Sequence, residues 1–315
     1  MGDGPEVDIV ASKPLIVAGM PMYNEEETIG TIVRRTLRHV DAVLCIDDGS
    51  SDSSAHLATR CGAQVTRHRV NRGYGGALKT LFVKSLQMGA DILITLDSDG
   101  QHDPNDIPKI IEPILSGEAD IVIGSRFIDG GTSVDMPAYR RLGIKVITAA
   151  SNLSSDLNIK DTQSGFRAFS AKALELLRFD CEGMELSLEI LEDANEKELK
   201  VAEIPTVIRY DVPKGSRFTA LSHGFTVLAY ALITLSQKKP LIVLGIPGFG
   251  LLATGAAMGL RAIDSVGEFT DVTIGPGITA AWIGVLGLSL IATGLVLQSA
   301  RSILKLLIVK EFGID

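Results

Sequence analysis

Two spacings of apolar residues alternate along the first two thirds of the chain. Short runs rich in apolar and β-branched residues, Leu15–Met20, Ala42–Ile46, Gln64–Arg67, Ile92–Leu96 and Ile121–Ile123, are too brief for helices and read as strands. Between them, Glu26–His39, Ser53–Cys61, Gly75–Met88 and Pro104–Leu115 repeat apolar residues at helical steps. Strands alternating with helices predict an α/β domain with a mostly parallel sheet covered by helices.

The pattern changes beyond residue 217. Phe218, Leu221, Phe225, Leu228, Leu232 and Leu235 recur at steps of three and four, predicting a helix over 218–239 that lies in a membrane interface. Pro240–Leu260 and Val272–Ala300 then carry no charged residue. Each is long enough to cross a hydrocarbon core of about 30 Å. Lys238 and Lys239 precede the first span, and Arg301, Lys305 and Lys310 follow the second. The connector sets Arg261 against Asp264, Glu268 and Asp271. The positive-inside rule therefore puts the α/β domain and both termini in the cytoplasm. Gly255 and Gly259 form a small-xxx-small pair that serves either the hairpin or a homo-oligomer contact. The expected organisation is a tail over 1–13, the α/β domain over 14–217, the interfacial helix over 218–239, a hairpin over 240–300 and a tail over 301–315.

Composition adds constraints. A formal net charge of -8 argues against nucleic acid as a partner. An anionic ligand would need a local basic cluster or a metal. Cys45, Cys61 and Cys181 have the spacing of neither a zinc site nor a disulfide framework and are expected to be reduced thiols. The polar, acidic start, Met1 to Lys13, lacks the basic-then-apolar order of a secretory leader.

Candidate chemistry gathers after the strands, where parallel α/β sheets bind ligands. The five strand ends lead into Pro21-Met22-Tyr23-Asn24-Glu25, Asp47-Asp48-Gly49-Ser50, Asn71-Arg72-Gly73-Tyr74-Gly75-Gly76, Asp97-Ser98-Asp99-Gly100-Gln101-His102 and Gly124-Ser125-Arg126-Phe127. Asp97, Asp99 and Gln101 alternate, which on an extended segment gives one side three oxygen donors suited to Mg²⁺ or Mn²⁺. The glycines at 73, 75 and 76 precede a helix and would let a phosphate approach its amides, although the Gly-Lys-Ser/Thr ending of a Walker loop is missing. Asp47 or Asp48 would accept hydrogen bonds from a nucleobase or ribose, or cap a helix. Arg140, Arg141 and Lys145 open a segment that stays apolar through Ala150 and suits a bilayer surface, with Arg141 and Lys145 as a candidate seat for an anionic group there.

In order, PMYNEEE, IDDGSSD, NRGYGGAL, LDSDGQHDP, GSRF and DTQSGFRAF resemble the successive signatures of glycosyltransferase family 2, and more narrowly its dolichol-phosphate mannose synthase-like branch with the archaeal dolichyl-phosphate hexose synthases. The resemblance covers about residues 14–238. It implies a nucleotide-diphospho-sugar transferase fold of the GT-A, Rossmann-like kind. Pro21, Tyr23, Glu25, Asp47 and Asp48 would cradle the nucleoside. Asp97, Ser98, Asp99 and Gln101 would serve the metal and diphosphate, with Asp99 and Gln101 the best ligands. Arg126 would face the diphosphate or sugar. Gln163, Ser164 and Arg167 would line the donor-sugar and acceptor region. Arg209 would reach the leaving group, and Arg217 would stand for the lysine that ends the late basic loop of many relatives, beside Lys214.

The implied reaction moves a hexose from a GDP- or UDP-sugar to a polyprenyl or dolichyl phosphate, with inversion. A phosphate monoester, with its second pKa of about 6, is already nucleophilic, so no strong general base is required. His102 is accordingly expected to have a structural or substrate-orienting role. Competing classes are a processive polysaccharide synthase, which would carry Gln-x-x-Arg-Trp whereas the one tryptophan, Trp282, lies inside a span; a nucleotidyltransferase, which would need a different glycine- and lysine-rich N-terminal loop; and an inactive membrane scaffold, against which the intact Asp97–Gln101 motif argues.

Overall fold

The computed structural model describes residues 13–155, 157–180, 183, 185–210, 227–229, 232–264 and 274–312. The chain divides into two units, Met1–Leu228 and Ala229–Asp315.

Strands β1 (Ile16–Met22), β2 (Ala42–Asp47), β3 (Gln64–Arg67), β4 (Ile92–Thr95) and β5 (Ile121–Ser125) fall where the apolar runs place them. Helices α1 (Ile29–Thr36), α2 (Ser54–Arg60), α3 (Gly73–Gln87) and α4 (Ile107–Leu115) alternate with them. Helix α3 begins two residues before the expected start, so its glycines form its first turns. Pro104–Asp106 makes a separate 3-10 turn ahead of α4, capped by the Asp103 carboxylate accepting from the Asn105 amide. Four further strands follow: β6 (Thr132–Val134), β7 (Arg167–Ser170), β8 (Val201–Pro205) and β9 (Val207–Arg209). The main sheet runs β3-β2-β1-β4-β7-β5-β8 and is parallel except for β7, which lies antiparallel between β4 and β5. Strands β6 and β9 pair in a small second sheet.

Alternate residues of β1 feed opposite faces of the sheet. Ala18 and Met20 meet Ile29, Ile32 and Val33 of α1 and Ile107 and Ile110 of α4. Val17 meets Leu78, Leu81 and Phe82 of α3 and the aromatic ring of Phe169 on β7 is in the same layer. Each fully buried side chain of this size contributes about 1.5–3 kcal/mol. Helices α6 (Ala171–Leu176) and α7 (Leu186–Glu196) extend the second layer, and α5 (Ala138–Ser155) buries Ile144, Ile147, Thr148 and Ser151. The other side of α5 leaves Tyr139, Leu142, Val146 and Leu153 exposed.

The second unit contains two long helices, Pro240–Asp264 and Ile274–Phe312. Pro240–Ile263 and Gly275–Arg301 are long and apolar enough to cross a membrane. They are not buried core helices, since Phe249 is 69% and Trp282 70% exposed. Within the hairpin the backbones touch: a Cβ on Gly255 would come within 2.7 Å of the Gly284 nitrogen, and one on Gly287 within 2.5 Å of the Gly248 carbonyl. Gly255 therefore packs the hairpin, whereas a Cβ on Gly259 would meet nothing within 4 Å. Of the expected interfacial helix, residues 227–229 and 232–238 are helical. Phe218, Leu221, Phe225, Lys214 and Arg217 lie outside the described residues, as do the tail over 1–12, Cys181 and the connector over 265–273.

Candidate active site

The carboxyl ends of β1, β2 and β4 and the amino end of α3 enclose a cavity of about 510 Å³ within the first unit. Pro21, Tyr23, Glu25, Asp48, Asn71, Tyr74, Asp97, Ser98 and Asp99 are among its lining residues. Most of the motifs separated along the chain thus meet at one place. Tyr23 stands 50% exposed at the cavity, while Ser98 is buried and donates its hydroxyl to the Pro21 carbonyl at 2.9 Å, joining β1 to β4.

The neighbours Asp47 and Asp48 divide their work. Asp47 is fully buried, accepts from the Ser50 amide at 2.9 Å and sits 3.0 Å from the Arg67 guanidinium. It builds the loop and is not among the cavity's lining residues, whereas Asp48 is. Strand alternation explains this, since successive side chains point to opposite sides. Asp48 Oδ1 accepts from the Arg72 amide at 2.9 Å and lies 2.7 Å from His68 Nδ1.

Asp97 and Asp99 both reach the cavity, but not through an extended alternation. The chain turns at Ser98–Gly100, where Gly100 has φ +83°, and Asp99 Oδ1 accepts from the Gln101 amide at 3.0 Å. The left-handed backbone at Gly100 suits glycine. Gln101 is not among the cavity's lining residues; its carbonyl accepts from the Arg209 amide at 3.0 Å. Arg209 itself ends β9 with its side chain exposed. Gly165 supplies room on the other side: a Cβ there would lie 3.0 Å from Asp97 Oδ1.

Burial pushes both carboxylates up to about 6; Arg126 and Arg140 oppose the rise at Asp97, while the Asp97 charge adds to it at Asp99. Among the described residues no lysine or arginine forms an ion pair with either one. Burial also pushes His102 down to about 4, so its ring is neutral at neutral pH. His102 Nδ1 accepts from the Asp97 amide at 3.3 Å and the ring packs against Phe166. These contacts tie the ring to the Asp97 turn and to β7's approach. Burial raises the Tyr74 phenol as well, with the Asp97 charge adding to the effect.

Arg126 corrects its expectation. It is buried, its Nε and Nη2 grip Asp161 at 2.6 and 2.5 Å, and its Nη1 donates to the Tyr210 hydroxyl. Burial works against its charge, but Asp161 more than offsets this. Arg126 therefore fixes the β5 end rather than presenting a free guanidinium. Arg167 is likewise spent on three backbone carbonyls, those of Ser164, Ser187 and Thr162. Ser164 is buried and accepts from the Phe166 amide, and Gln163 donates to the Thr162 carbonyl at 3.3 Å. These three build the β7 approach and are not among the cavity's lining residues.

Arg141 and Lys145 are exposed on α5, and Arg141 makes one long contact, 3.4 Å to Ser133 Oγ. The cation whose field reaches both Asp97 and Asp99 is their neighbour Arg140, stacked 4.8 Å over the Tyr210 ring. Helical rotation separates adjacent residues onto different faces. The sequence points to no role for Asp161, Tyr210 or His68; Asp161 opens the DTQSGFRAF motif, and Tyr210 becomes visible only once β9 is placed.

A mostly parallel α/β sheet with a cavity at its strand ends and an Asp-x-Asp turn lining it is the arrangement of a GT-A glycosyltransferase. Residues 18–178 match Glycosyl transferase family 2, and the chain belongs to that family. It is 31% identical over 247 residues to the UDP-N-acetylglucosamine–dolichyl-phosphate N-acetylglucosaminyltransferase of Methanococcus voltae, covering 72% of this chain and 98% of that one. It is 30% identical over 215 residues to the polyprenol monophosphomannose synthase of Mycolicibacterium smegmatis, covering 65% and 80%. Among solved structures, the glucosyl-3-phosphoglycerate synthase of Mycobacterium tuberculosis, in complex with Mn²⁺, uridine diphosphate and glucosyl-3-phosphoglycerate, superposes with a TM-score of 0.57 at 22% identity, covering 71% of this chain and 80% of that one. That likeness concerns the fold.

Proposed function

We propose that the protein transfers a hexose from a nucleotide-diphosphate sugar to a polyprenyl or dolichyl phosphate, with inversion, from a cytoplasmic domain held at the membrane by two spans. The observation that carries this reading is the pair Asp97 and Asp99, carboxylates that form no ion pair with a lysine or arginine among the described residues, on the wall of a cavity whose other side suits a nucleoside. The relatives from Methanococcus and Mycolicibacterium, named for dolichyl-phosphate and polyprenol products, support the lipid acceptor.

The carboxylates are hard oxygen donors and fit Mg²⁺ or Mn²⁺. Gln101, one residue beyond the turn, is the third donor of the proposed set. A bound divalent ion would offset charge on the departing diphosphate. Pro21, Tyr23, Glu25 and Asp48 hold the nucleoside at the β1 and β2 ends. Arg209, carried by β9 beside the metal turn, and Arg217 neutralise the leaving group. Arg140 draws the acceptor phosphate towards the anomeric carbon. A phosphate oxygen forms the new bond to that carbon as its bond to the diphosphate breaks, and no proton need be removed. Gln163 borders this approach, while Arg126 and Arg167 hold its walls.

Helix α5 suits a bilayer surface. Its exposed side combines Tyr139, Leu142, Val146 and Leu153 with Arg141 and Lys145, apolar residues beside cations that favour anionic headgroups. Arg141 and Lys145 thus guide the lipid headgroup from outside the cavity.

Membranes containing the protein, incubated with labelled nucleotide sugars and a polyprenyl phosphate, should yield a labelled lipid that mild acid releases. Labelled polymer, free nucleotide sugar, or no product with any donor would favour the synthase, the nucleotidyltransferase or the scaffold respectively.

A further inference from the structure

His68 is a buried ring with no part in the transfer chemistry described above. Its Nδ1 lies 2.7 Å from Asp48 Oδ1 and its Nε2 2.8 Å from Thr80 Oγ1 on α3. Thr80 in turn donates to the Gly76 carbonyl at 3.0 Å. The ring is therefore pinned at both ends, between the end of β2 and the first turns of α3. Asp48 Oδ1 also accepts from the Arg72 amide. Two donors thus occupy one oxygen of the carboxylate that lines the nucleoside wall of the cavity. Among the described residues, no hydrogen bond goes to Oδ2.

Nucleobases differ in what they offer such a group. The edge of guanine presents two adjacent donors, N1–H and the N2 amino group, which match both oxygens of a free carboxylate. The edge of uracil presents one donor, N3–H, between two carbonyls. A carboxylate with one oxygen taken by His68 and Arg72 suits the single donor, and guanine would leave an N–H without an acceptor. An unmet buried donor of this kind weakens binding by about tenfold or more, enough to discriminate.

We propose that His68 is a positioning residue for nucleobase selection, fixing Asp48 as a one-oxygen acceptor that favours a uracil nucleotide as donor over a guanine nucleotide. The proposal rests on the reading of the cavity as a nucleotide-sugar site and names the nucleotide that reading leaves open.

The test is calorimetric binding of uridine and guanosine monophosphates to the full chain in detergent, without a sugar or a lipid. The wild type should bind the uridine nucleotide at least about tenfold more tightly. His68→Ala should weaken uridine binding about tenfold and leave guanosine binding nearly unchanged, so that the preference collapses. His68→Asn, which keeps an N–H near Asp48 Oδ1, should recover part of it. Thr80→Val removes the far anchor of the ring and should narrow the preference to a smaller degree, which keeps the test available if His68→Ala does not fold. Equal or tighter binding of guanosine to the wild type overturns the inference and leaves the proposed reaction standing. An unchanged preference in folded His68→Ala or Thr80→Val also overturns it. Binding of neither nucleotide overturns the nucleotide-sugar reading as well.

Discussion

Two acidic centres lie close together at the strand ends and have opposite characters. At Asp161 the negative charge is matched: the Arg126 side chain holds both carboxylate oxygens, and the Arg126 amide donates as well. Glu203 in turn accepts from the Lys160 and Asp161 amides, fixing that loop to β8. At Asp97 and Asp99 two carboxylates face a cavity, raised in pKa by burial and, among the described residues, without a lysine or arginine in ion-pair contact. A buried charge that is fully paired resists change, whereas one left unpaired favours a ligand that supplies the missing charge. The first centre is construction, and the second is the proposed cation site.

Breaking each centre should therefore have different consequences. The largest effect on transfer is expected at Asp99. Asp99→Ala should lower activity by at least about 100-fold, the scale of removing one electrostatic partner of a developing charge. Its melting temperature should hold or rise, because a half-buried carboxylate disfavoured by desolvation has been removed. An active variant in the presence of chelator would remove Asp99 from the metal set. Arg126→Ala should act on the fold, costing about 3–5 kcal/mol by leaving Asp161 buried and unpaired. Denaturant unfolding of the solubilised protein would measure this, and a variant as stable as the wild type would show that the pair is not structural.

A smaller and more selective effect is expected at the acceptor end. Arg140→Ala should raise the lipid-phosphate KM about tenfold, equivalent to ~1.4 kcal/mol. Arg141→Ala should change it by about twofold or less, as befits an exposed cation. Equal effects would return the acceptor phosphate to Arg141.

The smallest expected effect is a pH dependence. Asp97 and Asp99 have higher pKa values folded than unfolded, so the folded protein retains protons that the unfolded chain has released. Stability of the metal-free protein should therefore fall as pH rises from the ordinary carboxylate value of about 4 through about 6. A divalent ion must displace those protons, so Mn²⁺ should raise the melting temperature more above this window than below it. A metal-induced rise independent of pH would separate the ion from these carboxylates.

The same contrast marks how far the sequence could be read. Strands β1 to β5 and helices α1 to α4 follow local periodicity, and the cavity forms where their polar ends meet. Strand β7 does not announce itself: Arg167-Ala168-Phe169-Ser170 is short and is held by pairing with β4 and β5, far away in sequence. Strands β6 and β9 have three residues each. Motif position places Asp48, Asp97 and Asp99 at the strand ends, where they line the cavity, but it does not tell a free arginine from a bound one. Arg126 and Arg167 stand in motifs that suggest ligand contact, and their partners, Asp161, Tyr210 and three backbone carbonyls, become evident only in three dimensions. Likewise, Arg140 and Arg141 are adjacent in sequence, and the turn of α5 decides which one faces the acidic pair.

The central claim, that the unpaired carboxylates form a cation and nucleotide site, is tested most directly by Mn²⁺ paramagnetic resonance. The free-ion signal should fall when wild-type protein and uridine diphosphate are both present, and should fall much less when Asp99→Asn replaces the wild type. Equal loss of signal with the two proteins, at equal folded concentration, would contradict the claim.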